Sequence, residues 1–201
     1  MPPSRFGCRE PRMTVGALPT REQAVALLHD WVANANLRKH CYAVEAAMRA
    51  YAARYSEDAE RWGLTGLIHD FDWERHPSAE LHPMKGVEVL RAAGWPEDIC
   101  LAVLGHATYS GVPRDTLMAR VLFACDELAG FLVACALVTP ERKLAAVSVD
   151  SVRKKLKSAG FARNVNRDDI VNGAAELGVD LDEHVAFVRD AMAGIAGELG
   201  L

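Results

Sequence analysis

The sequence predicts an all-α fold, a globular helical bundle around one core. Three observations carry this expectation. Apolar residues recur at helical spacing in nearly every segment. Glycine and proline stand between those segments, where helix ends and turns are made. No run alternates strictly between apolar and polar residues, as a half-buried strand would.

The first helix follows from Ala24, Leu27, Leu28 and Trp31, spaced i, i+3, i+4, i+7 behind Thr20 as its N-cap. Further helices are expected at 37–54, 57–71, 82–93, 97–108, 114–138, 148–159, 168–176 and 181–198. Gly94 with Pro96, Gly111 with Pro113, Pro140, Gly160 and Gly178 mark the breaks. Leu128 to Thr139 carries no charge, but it is well short of the roughly 20 residues that span a bilayer, so it reads as a buried core helix. No membrane segment or signal-peptide core is found. Residues 1–18, with Arg5, Arg9 and Arg12 beside prolines 2, 3 and 11, are expected to be a disordered extension, and Met13 is a candidate alternative start. One domain is expected over 19–201.

Composition narrows the function classes. Half of the 201 residues are apolar and a quarter are charged, with 23 basic and 27 acidic side chains, which argues against a nucleic-acid binder driven by charge. The balance is uneven, because the stretch 142–167 is strongly basic and has Asp150 as its single acid. An anionic partner or a solvated face explains that stretch equally well. Five cysteines, at 8, 41, 100, 125 and 135, form no CxxC pair, so neither a disulfide framework nor a zinc ribbon is indicated. Reduced thiols and a cytoplasmic location are the expectation.

The chemistry concentrates in His40, His69-Asp70, His82, His106 and Asp126. Each falls on or beside a different expected helix, so a bundle could bring all six to one interior cavity. Asp126 has the least ordinary context: within Leu117 to Val138 the other charges are Arg120 and Glu127. A carboxylate there is costly to bury unless paired or bound to a cation. The alternative is that it points outward with Glu127. His69-Asp70 follows Gly66-Leu67-Ile68, an apolar approach that delivers imidazole and carboxylate together.

Together these residues resemble the HD superfamily of metal-dependent phosphohydrolases. The first histidine of that family matches His40 in Asn-Leu-Arg-Lys-His, the defining pair matches His69-Asp70 in Leu-Ile-His-Asp, and the closing aspartate matches Asp126 in Phe-Ala-Cys-Asp-Glu-Leu. The resemblance implies that these four residues are a basal metal set, with His69 and Asp70 at the catalytic centre. It also implies that His82 and His106 are the two additional histidines of binuclear members. Imidazole and carboxylate suit divalent first-row metals, so one or two ions drawn from Mn, Fe, Zn, Co, Ni or Mg are expected, with Asp70 as the bridge. Two such ions acidify a bridging water and hold a phosphoryl oxygen as it is attacked. Gly86, four residues after His82, keeps its helical face open for close approach or simply packs. After His69-Asp70 the chain has Phe71-Asp72 where cyclic-dinucleotide phosphodiesterases have Ile-Gly-Lys, and no Gly-Tyr-Pro follows, so cyclic di-GMP is a poor first guess.

Substrate contacts are assigned to Lys39, Lys85, Lys154 and Lys155, with Arg38 and Lys157 beside them. The alternative for each is a solvated helix face. Asp72, Glu74 and Tyr109 are candidate proton donors or polar lining. His29, His76 and His184 are given surface or capping roles, and Cys41 and Cys125 are expected to pack.

The expected function is hydrolysis of a small phosphorylated substrate, a phosphomonoester or phosphodiester such as a nucleotide, by a metal-activated hydroxide. Neither membrane nor nucleic acid is an expected partner, and the oligomeric state is open. Two other readings are carried: an HD-fold di-iron oxygenase acting on a phosphonate or polyol, and a non-catalytic binding module stabilised by metal.

Overall fold

A computed structural model of the chain describes residues 18–201. Residues 1–17 of the expected extension lie outside the described residues, and Leu18 already packs on the core. Ten α-helices and no strand make up the described part. None of these helices is long and apolar enough to cross a membrane.

Local chemistry sets the helix starts. Thr20 opens α1 (Arg21–Trp31) with a reciprocal capping box to Gln23. Asn34 and Asp58 accept backbone N–H groups at the heads of α2 (Ala35–Tyr55) and α3 (Ala59–Ile68). After α4 (Met84–Ala92) and α5 (Glu97–His106), Thr116 caps the long α6 (Leu117–Leu137). Then α7 (Val149–Leu156), α8 (Arg167–Leu177) and α9 (Leu181–Ala193) start from Ser148, Asn166 and Asp180. A last short turn, α10 (Ala196–Leu199), follows.

Several expected boundaries shift by two or three residues, and two of the shifts shape the site. The helix expected over 57–71 stops at Ile68, so His69 caps it and Asp70, Phe71 and Asp72 lie in consecutive turns. The helix expected from His82 begins at Met84, because the chain turns through Leu81–Pro83 first. The segment expected as 181–198 breaks at Gly194–Ile195 into α9 and α10.

The core is built on α2 and α6, each 21 residues long. Val44, Ala47 and Met48 of α2 and Val121, Leu122, Cys125, Leu128 and Leu132 of α6 are fully buried. As expected, the uncharged stretch of α6 is a core helix. Gly66 sets the spacing of α3 on α2: a Cβ there would stand 2.9 Å from the Val44 carbonyl oxygen and from the Met48 side chain. The close approach carries the end of α3, and with it His69, against the face of α2 that bears His40.

His184 does not take the expected surface or capping role. It is 1% exposed and crosses the core, its Nε2–H donating to the Ala124 carbonyl (2.9 Å) while its Nδ1 accepts the Tyr51 hydroxyl (2.6 Å). It ties α9 to α6 and α2. Burial holds its pKa below the usual histidine value, so the ring is neutral at pH 7.

Candidate metal centre

The six residues singled out in the sequence converge. His40 comes from α2, His69 caps α3, Asp70 lies in the following turn, His82 in the turn before α4, His106 at the end of α5, and Asp126 in α6. They form two groups of ligand atoms, His40, His69, Asp70 and Asp126 in one and Asp70, His82 and His106 in the other.

In the first group, His40 Nε2 stands 2.9 Å from Asp126 Oδ1, 3.2 Å from His69 Nε2 and 3.7 Å from Asp70 Oδ2. His69 Nε2 is 3.3 Å from Asp126 Oδ1 and 3.5 Å from Asp70 Oδ2. In the second, His82 Nε2 and His106 Nε2 lie 3.3 Å apart, at 3.2 and 3.4 Å from Asp70 Oδ1. Asp70 therefore turns one oxygen to each group. Asp126 faces the cluster; the outward alternative is not what the helix presents.

The chemistry of the donor set fits a cation. His69 Nδ1 is 2.7 Å from the Gly66 carbonyl oxygen, and His106 Nδ1 bonds the Val103 carbonyl. A carbonyl only accepts, so both rings carry their proton on Nδ1. His82 Nδ1 donates to Asp72 Oδ1 at 2.8 Å. Three neutral rings so fixed aim the lone pairs of Nε2 inward, at one another and at three carboxylate oxygens. Such a set is repulsive unless protons or a metal ion stand between its members.

Without metal, protons take that place. Burial disfavours the imidazolium at His69, but the carboxylates of Asp70 and Asp126 outweigh it and lift the ring to about 9. His82 is likewise disfavoured by burial and lifted to about 9 by Asp70 and Asp72. Burial alone would raise both acids; His69 in each case, with His82 and His106 at Asp70 and His40 at Asp126, instead holds them far below the usual carboxylate range.

Asp72 is a positioning residue. It is 1% exposed, accepts from His82 and takes the Gly86 N–H at 2.8 Å. A Cβ on Gly86 would lie 2.6 Å from the Asp72 carboxyl carbon, so the glycine makes room for the acid that orients His82. Of the two expectations for Gly86, close approach or simple packing, the first describes the position, and the group that approaches is Asp72. Glu74 accepts the Asn34 N–H at the head of α2, at 2.9 Å.

The cluster opens into a cavity of about 320 Å³. Beside the cluster residues it is lined by Trp73, Tyr109, Phe123, Glu127 and Asp169, and among the described residues no lysine or arginine lines it. Trp73 meets the His82 ring edge-on at 4.9 Å. Burial, seconded by Asp126, raises Glu127 to about 7, while the Asn166 N–H donates to its Oε2 at 3.1 Å.

The family model HD domain matches residues 37–130, a span that holds all six cluster residues. Over that span the chain is similar to HD domains. The HD superfamily is one of metal-dependent phosphohydrolases. No curated protein and no solved structure matches the chain.

The lysines assigned to substrate lie elsewhere. Lys85 pairs with Glu88 on the surface at 2.8 Å. Lys154 is exposed on α7, and Lys155 bonds Ser151 one turn away. Lys39 points away from the HD cluster and lines a second cavity. Trp73, Phe123, Glu127 and Asp169 were given no site role in the sequence. Trp73 and Glu127 adjoin residues that were, whereas Asp169 is brought in by the packing of α8 on α6 and leaves no sequence signal.

Proposed function

We propose that the chain is a phosphohydrolase that uses two divalent metal ions bridged by Asp70. The observation that supports this reading is the division of the Asp70 carboxylate, with Oδ2 in one ligand group and Oδ1 in the other. His40, His69 and Asp126 would complete the first site, and His82 and His106 the second. Ions bound there supply Lewis acidity toward a phosphoryl oxygen and acidify water.

The residues of the chain do the rest. Gly66, Val103 and Asp72 fix the three Nδ1–H tautomers, so that every Nε2 is presented as a donor to the centre. Side chains of Asp70 and Asp126 remain 17% and 18% exposed, which leaves the centre reachable from the cavity, as a catalytic site requires and a closed structural site does not. Glu127, held by the Asn166 N–H at the cavity wall, is placed to carry a proton to a departing oxygen.

The cavity also informs the substrate. Since among the described residues no lysine or arginine lines it and Glu127 and Asp169 do, a phosphodiester, with one negative charge, suits it better than a phosphomonoester dianion. Trp73 and Tyr109, 40% and 50% exposed, offer flat faces to an apolar or aromatic substituent such as a nucleobase. The test is hydrolysis of bis(p-nitrophenyl) phosphate against p-nitrophenyl phosphate in manganese. The diester is expected to be cleaved faster and the Asp70→Asn variant to be inactive; equal cleavage by Asp70→Asn would overturn the proposal.

The same lining, without lysine or arginine among the described residues, favours one second reading, a di-iron oxygenase acting on a neutral polyol. Iron retained through aerobic purification, with oxygen consumed when a polyol is added and no diester cleaved, would favour it over hydrolysis.

A further inference from the structure

Three of the four clustered histidines have their Nδ1 fixed by a protein acceptor; His40 has none among the described residues. Its Nδ1, the nitrogen turned from the cluster, lies 4.0 Å from where a Cβ on Gly130 would stand. His40 and Gly130 both line a second cavity, of about 450 Å³, on the other side of the imidazole.

That second cavity is built differently from the first. Lys39, Arg142 and Asn36 supply its polar side chains and Val133, Leu137 and Leu199 its apolar ones, while Gly200 and Leu201 close it, Gly200 beside the Lys39 ammonium. Neither Lys39 nor Arg142 has a carboxylate side chain within salt-bridge reach among the described residues, as is also true of Lys143 and Lys154; Lys39 and Arg142 share a cavity with an apolar wall. Two unpaired cations, a free imidazole N–H and an apolar wall are complementary to an anion that carries an apolar tail.

We infer that this cavity binds a small amphipathic anion, a carboxylate or phosphate head on an apolar tail, that pairs with Lys39 and Arg142 and accepts the Nδ1–H of His40. The inference rests on the metal reading in one respect. An anion on Nδ1–H makes Nε2 a better ligand, as a carboxylate or carbonyl does for the other histidines, so occupancy of the second cavity tightens the metal site. By linkage, metal tightens the anion by the same factor. The site is thus a regulatory one, separated from the reaction by a single imidazole.

The experiment titrates octanoate calorimetrically into the full chain, without and with manganese, and uses octanol and acetate to separate tail from head. One octanoate is expected to bind per chain, more tightly than either fragment. Lys39→Gln with Arg142→Asn is expected to weaken it about tenfold or more. Asparagine is chosen because Arg142 has a φ of 52°, a conformation that Asn tolerates. Lys154→Gln, on α7, is the control and is expected to change nothing. Saturating octanoate is expected to tighten manganese by about tenfold.

Absence of binding, or binding indifferent to Lys39 and Arg142, would overturn the site. Binding that leaves manganese affinity unchanged would overturn the link through His40. Octanoate bound through Lys39 and Arg142 in a chain that never takes up metal would uphold the anion site and overturn the metal reading.

Discussion

His69 and His184 are both buried imidazoles held by backbone carbonyls, and they behave in opposite ways. His184 touches a hydroxyl and a carbonyl, with no carboxylate, so burial decides and the ring stays neutral. His69 is 0% exposed, yet two carboxylates overcome its burial and lift it to about 9. His184 is a strut between helices, and His69 belongs to a group of residues that could hold a metal ion. What distinguishes them is neither burial nor helix position but the charge of the groups that face them.

The sharpest way to break that distinction is to remove the shared charge. Asp70→Asn deprives both ligand groups at once, and activity is expected to fall on the order of 10²-fold or more, with metal affinity falling alongside it. Elemental analysis and steady-state kinetics on the folded variant check both. Retained affinity would mean that Asp70 is no bridge.

A smaller effect is expected one layer out. Gly86→Ala puts a methyl 2.6 Å from the Asp72 carboxyl carbon and displaces the group that orients His82. Affinity for the second metal is expected to drop about 10–100-fold while the first site is spared, as in Asp72→Asn. Sequential metal titration reads the two steps separately.

On the structural side, His184→Phe leaves the Tyr51 hydroxyl without its acceptor in a fully buried place. A loss of about 1–3 kcal/mol in urea unfolding is expected, with metal stoichiometry unchanged. If metal were lost as well, the strut and the ligand cluster would be one unit.

A pH dependence of opposite sign is expected for the two kinds of histidine. In the metal-free protein the raised pKa of His69 and His82 contributes stability that is full below the unfolded value near 6.5. It is lost as pH rises through about 9. The lowered pKa of His184 works the other way, its contribution being full above about 6.5 and lost as pH falls. Unfolding of metal-free protein is therefore expected to be easier on both sides of neutrality, with the acid limb flattened in His184→Gln. Because metal must displace the protons on His69 and His82, its apparent affinity is expected to rise with pH up to about 9.

The same contrast explains what could be read from the sequence. The helical class is legible because helix periodicity is local, and the order His40, His69-Asp70, His82, His106, Asp126 is legible because it resembles the pattern of the HD superfamily, with Asp126 singled out further by its apolar helix. His184 was not, since its partners, Tyr51 and Ala124, lie 133 and 60 residues away. Asp72 was legible as a polar residue near the site, but its role depends on Gly86, fourteen residues on, leaving space for it. The lysines misled for the same reason: sequence adjacency to a ligand places Lys39 on the next position of a helix, which is a different face, and there it lines the second cavity.

The central claim, a carboxylate shared by two ions, is tested most directly by counting metal per chain after equilibration with manganese, iron or zinc. About two equivalents are expected for the wild type, about one for His82→Ala and none for Asp70→Ala. A wild-type chain that retains no metal, or an Asp70→Ala variant that retains as much as the wild type, would contradict it.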